Sequence, residues 1–125
     1  MDIREFYERT GGSYTDVMGR LMKESRVEKF VHMFLQDPCF GELETCLARK
    51  DYAGAFRAVH TLKGVCLNLG FSRLYESVYQ VTEVLRKAEP DSGEDHEKIA
   101  ACMEVLRSDY REIIEGIQNL DTNIS

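Results

Sequence analysis

Apolar residues recur at helical spacing along nearly the whole chain, and no stretch alternates as a half-buried strand requires. That pattern restricts the fold to the all-α class. Val27, Phe30, Val31, Phe34 and Leu35 make an i, i+3, i+4, i+7 stripe, which predicts an amphipathic helix from about Glu24 to Gln36. Shorter helices are expected before it, over Asp2 to Arg9 and from about Ser13 with Val17, Leu21 and Met22 inward, separated by the helix-breaking Gly11-Gly12 pair. Asp37-Pro38 ends the stripe and starts another helix, with Asp37 as N-cap, Pro38 at the first helical position and Phe40, Leu43 and Leu47 inward.

A longer helix is expected from Asp51 to Leu69, with Tyr52, Ala55, Phe56, Val59, Leu62, Cys66 and Leu69 on its core side. Gly70 suits the left-handed residue beyond its end, and Ser72 suits the cap of the next helix, whose core stripe is Leu74, Val78, Val81 and Leu85. After Glu89-Pro90-Asp91, Ser92 and Asp95 match a capping box for a last helix carrying Ile99, Cys102, Met103, Leu106, Tyr110, Ile113, Ile117 and Leu120. Short turns make sequential helices antiparallel neighbours. The expected fold is an antiparallel up-down four-helix bundle with short additional N-terminal helices, one domain over residues 1–125.

Composition narrows the function classes. A chain of 125 residues can bury an adequate core without disulfide or metal staples. Cys39, Cys46, Cys66 and Cys102 form no C-x-x-C pair, and with His32, His60 and His96 they give no metal-ligand spacing, so they read as core filler. A formal net charge of -6 and the lack of a basic cluster argue against nucleic acid as partner. No apolar run is long enough for a membrane span, and the first residues lack the apolar stretch of a signal peptide, so a cytoplasmic protein is expected. The terminal Asn123-Ile124-Ser125 fits a glycosylation sequon, read as accidental in the absence of a signal peptide.

The residues that carry chemistry lie on the Asp51–Leu69 helix. At ~100° per residue, His60 points roughly 130° away from the centre of the core stripe. Lys63 and Gly64 follow three and four residues later and are its neighbours on the helix surface. By itself an exposed histidine is most often a solvated side chain. Here, however, an imidazole, an ammonium and a bare patch of backbone stand together, and a mid-helix glycine costs about 0.5–1 kcal/mol relative to alanine. A close approach by a partner explains why a glycine sits there. Neutral imidazole is a good nucleophile, and after phosphoryl capture the Lys63 ammonium would face a dianion as a point charge.

Ala58-Val59-His60-Thr61-Leu62-Lys63-Gly64, then Asn68-Leu69-Gly70 and Leu74, resembles the signature of histidine-containing phosphotransfer (HPt) domains of two-component phosphorelays. The resemblance implies a four-helix bundle in which His60 is the phosphoacceptor, Lys63 steadies the phosphoryl group and Gly64 admits the partner's active site. It implies response-regulator receiver domains and a hybrid histidine kinase as partners, with Mg²⁺ and the phospho-aspartate on the receiver and no cofactor on this chain. Many family members place a glutamine on the facing helix near the histidine; the aligned position here is Thr82, with Arg86 one turn further on. Tyr75, Tyr79, Thr82 and Arg86 share a stripe that can flank the site, and packing or solvation accounts for each of them equally well.

Other classes fit less well. An autokinase phosphoacceptor domain usually follows its histidine with an acidic residue, where this chain has Thr61, and no P-loop pattern occurs. A di-iron bundle would need Glu-x-x-His pairs, which are absent. The rival that survives is a helical adaptor binding a receiver domain without accepting phosphate. A monomer is expected, since each long helix has one apolar face.

Overall fold

The computed structural model describes residues 1–121; the Asn123-Ile124-Ser125 sequon lies outside them. The helices are α1 (Ile3–Arg9), α2 (Tyr14–Leu21), α3 (Glu24–Met33), α4 (Cys39–Ala48), α5 (Tyr52–Leu69), α6 (Ser72–Lys87) and α7 (Gly93–Gln118), and no strand occurs among the described residues. A single 3₁₀ turn, Phe34–Gln36, extends α3. α5 packs against α4 and α6, and α6 packs against α7. Side chains close the ring between α4 and α7: the Phe40 and Tyr110 rings stack at 3.9 Å, and Arg107 makes a two-pronged bond to Glu44 with both N···O distances 2.8 Å. The expected antiparallel four-helix bundle with short N-terminal helices is the fold.

The local reasons are those of helix ends and apolar stripes. The side chains of Asp2, Ser13, Asp51 and Ser92 each accept a hydrogen bond from the N–H three residues on. Gly70 ends α5 with φ +70°, and a Cβ there would stand 2.6 Å from the Ser13 carbonyl oxygen, so both the backbone angle and the space require glycine. The core contains Val59, Leu62 and Cys66 of α5, Leu74, Val78 and Val81 of α6, and Met103, Leu106 and Ile113 of α7. α1 closes one end of the bundle, where Phe6 and Tyr7 pack against Phe71 and the Tyr7 hydroxyl donates to the Leu69 carbonyl.

Several expectations are corrected. Met22 is the left-handed residue after α2 and is 74% exposed, so it belongs to a turn and not to the core. Phe30 is 39% exposed, because only Val27 and Val31 of α3 face fully inward. α4 starts at Cys39 and not at Pro38; Asp37 still serves it, accepting from the Cys39 N–H at 2.9 Å. Ser72 does not cap α6. The cap position belongs to Phe71, whose ring is needed against Phe6, Tyr7 and Phe34, and no side chain caps that helix. The capping box of α7 is half formed: Ser92 accepts from Asp95 N–H, while the Asp95 carboxylate turns back to accept from Glu89 N–H at 2.8 Å.

Candidate phosphoacceptor site

α5 is anchored on both sides by α4 and α6, so its remaining face is held rigidly toward solvent. Val59 and Leu62 are fully buried and fix the rotation of the helix. With that rotation set, His60 and Gly64 are exposed and Lys63 is half-buried. His60, Lys63 and Gly64 therefore share one accessible surface, as neighbours at i, i+3 and i+4. A Cβ built on Gly64 meets nothing within 4 Å. The glycine is not there for internal packing, since this fold leaves the space above it open.

The facing helix α6 contributes differently from what the stripe suggested. Thr82 is fully buried, and its hydroxyl donates to the Val78 carbonyl at 2.8 Å, one turn back in the same helix. It makes no hydrogen bond to His60. Tyr79, 38% exposed, supplies a ring whose centroid is 5.8 Å from the Lys63 ammonium, within cation–π range. Tyr75 stacks on Tyr79 from the next turn, with ring centroids 6.4 Å apart. Arg86 is exposed, with its guanidinium carbon 5.1 Å from the centroid of Phe56, and its Nε donates to Glu83 at 3.2 Å.

Phe56 is the residue that periodicity misassigned in part. Counted on the core side of α5, it is half-buried, and its ring lies almost parallel to the His60 imidazole, with centroids 6.0 Å apart and an interplanar angle of 16°. The signal was the i, i+4 spacing between Phe56 and His60, the same spacing that sets Gly64 beside His60 on the helix surface. The other histidines sit elsewhere: His32 is on α3, and the Nε2 of His96 is 2.6 Å from the Pro90 carbonyl oxygen in the α6–α7 turn.

Past Gly64 the surface turns apolar. Val65, Asn68 and Leu69 of α5 line an open, mostly apolar groove of about 400 Å³ together with Leu21, Phe30 and Met33, and Arg20 and Asp37 add charge to its lining. Met33 in its lining is about half exposed, as is Leu67 further along α5. The site is thus a convex, accessible imidazole with a cation one turn away, a bare backbone patch, and an apolar groove along the same helix. It has the shape of a surface to be docked upon and not of an enclosed pocket. Among the described residues no helix is long and apolar enough to cross a membrane.

Neither a curated protein nor a solved structure matches the chain. The family model of the Hpt domain matches residues 29–120, a span that contains α4 to α7 and with them His60, Lys63 and Gly64. The chain belongs to the Hpt domain family.

Proposed function

We propose that this chain is a phosphorelay intermediate that accepts a phosphoryl group on His60 from a receiver-domain phospho-aspartate and passes it to the aspartate of another receiver. Hpt domains act in histidine phosphotransfer within phosphorelays, and they interact there with receiver domains and kinases. The observation that carries the residue assignment is the exposure of His60 beside Lys63 and beside a Gly64 over which nothing stands.

In the forward step a lone pair on an imidazole nitrogen forms the P–N bond as the acyl-phosphate P–O bond breaks, and its electrons leave on the receiver carboxylate. The return step reverses this toward a second receiver. Phosphoryl transfer asks little covalent chemistry of the protein and much positioning and charge neutralisation. Lys63 supplies a mobile positive charge for the phosphoryl oxygens, and Gly64 lets the partner's loops approach the backbone. The Val65–Leu69 groove gives the receiver an apolar surface next to the transfer point. Mg²⁺ and the phospho-aspartate belong to the receiver, and this chain holds no cofactor of its own. The protein works as a cytoplasmic monomer that receivers visit in turn, one of them belonging to a hybrid histidine kinase.

The test is incubation with a phosphorylated receiver and Mg²⁺. Labelling of the wild-type chain and none of His60→Gln supports the reading. Binding of the receiver with no transfer of label would replace it with a phosphorylation-independent adaptor.

A further inference from the structure

The geometry points to Phe56, held from α6 by Arg86, as the positioning residue for the His60 imidazole. This rests on the proposed phosphotransfer at His60 and names what orients the ring for it. Three observations converge. First, no hydrogen bond to the His60 ring is present among the described residues, and the facing residue Thr82 has spent its hydroxyl proton on Val78. Second, the Phe56 and His60 rings lie within 16° of parallel at 6.0 Å, inside the range of offset-stacked pairs. Third, the Arg86 guanidinium lies 5.1 Å from the Phe56 centroid, so the aromatic ring is itself tied to the facing helix.

The physical need is specific. The χ2 torsion of a histidine is broad, so an imidazole with no partner sweeps its plane over a wide arc. The nucleophilic lone pair lies in that plane, and phosphoryl transfer wants attacking and leaving atoms roughly in line. Whatever fixes the plane therefore fixes the line of attack. A stacked neighbour does this without blocking either nitrogen, whereas a hydrogen bond would occupy one. Phe56 is one turn before His60 on the side opposite Gly64, so the clamp stays clear of the surface left open to the receiver.

The experiment compares wild type, Phe56→Leu, Phe56→Tyr and Arg86→Gln. Each is measured for single-turnover transfer from a phosphorylated receiver, for receiver affinity by calorimetry, and for the His60 ring proton shifts by NMR in the free protein. Phe56→Leu keeps an apolar side chain but loses the ring. It should shift the His60 ring protons and slow transfer about tenfold or more at unchanged affinity, since small misplacement of a reacting group can cost up to ~100-fold. Phe56→Tyr should restore both the shifts and the rate. Arg86→Gln should slow transfer about two- to fivefold, the size expected for an exposed cation–π contact. Wild-type transfer by Phe56→Leu overturns the proposal, as does a defect that Phe56→Tyr fails to rescue or one that lies wholly in receiver affinity. A wild-type chain that takes no label from the receiver would instead sink the phosphotransfer reading itself.

Discussion

The Lys63 ammonium lies 5.8 Å from the centre of the Tyr79 ring, so the cation that follows His60 by one helical turn rests against an aromatic face of the neighbouring helix. The contact is weak enough to break, about 0.5–1 kcal/mol at an exposed site. Lys63 can therefore leave Tyr79 for a phosphoryl group without a large penalty. Lys63→Ala should slow transfer to His60 by about 10- to 100-fold, corresponding to a charge-assisted contact of about 1.5–3 kcal/mol. Receiver affinity should change by no more than ~1 kcal/mol. Stopped-flow transfer and calorimetry on one protein separate the two; a loss confined to affinity would make Lys63 a docking residue.

Labelling chemistry provides the second expectation. The chain should take no label from ATP alone, and with a phosphorylated receiver and Mg²⁺ it should take label that is acid-labile and base-stable, as phosphohistidine is. His60→Gln should take none. Persistent label on that variant would move the acceptor to His32 or His96, of which His96 already has its Nε2 2.6 Å from the Pro90 carbonyl oxygen.

Two glycines in long helices should respond oppositely to alanine. Gly64→Ala adds a methyl to open space and should stabilise the fold by up to ~1 kcal/mol while slowing transfer, with Gly64→Gln slower still. Gly116→Ala would put its Cβ 2.9 Å from the buried Phe6 ring and should destabilise by about 1–3 kcal/mol. Thermal melts of the two variants give the signs directly. Transfer by Gly64→Gln at the wild-type rate would remove close backbone approach as the reason for a glycine beside His60.

Thr82→Val tests whether α6 serves the imidazole through a hydroxyl. The Thr82 proton goes to Val78, so the substitution should leave the transfer rate within about twofold and cost no more than ~1.5 kcal/mol of stability. A large transfer defect with intact stability would mean that the hydroxyl turns to His60 during the reaction.

The buried thiols set a pH dependence. Burial, with the Asp37 carboxylate adding to it, pushes the Cys39 thiol up to about 12, and burial raises Cys66 further in the same direction. In the unfolded chain both thiols ionise near ~8.5. Above that pH the unfolded state binds fewer protons than the folded state, so stability should fall as pH rises from ~8.5 toward about 12. Denaturant melts at pH 8 and pH 10 measure the slope, which Cys66→Ala should flatten. The same two thiols should resist alkylation in the native protein at pH 8.

The sequence by itself determined the helices and the grouping of His60, Lys63 and Gly64 on one surface. Apolar periodicity is a property of one helix at a time, and so are the i, i+3 and i+4 neighbours that join His60 to Lys63 and Gly64. Those relations survive any packing that keeps α5 helical. What α6 brings to the site depends on how two helices are rotated and spaced, and one helix's residues do not encode that. Thr82, Tyr79 and Arg86 share a stripe in the sequence, yet packing buries Thr82, sets Tyr79 under Lys63 and lays Arg86 over Phe56. The same limit explains Phe30 and Ser72: the apolar stripe of α3 is wider than the face its neighbours cover, and the Phe71 ring takes the cap position that Ser72 would have filled. Phe56 reaches His60 within α5, but only the tertiary structure decided what lies against Phe56, because the Arg86 contact is made where two helices meet.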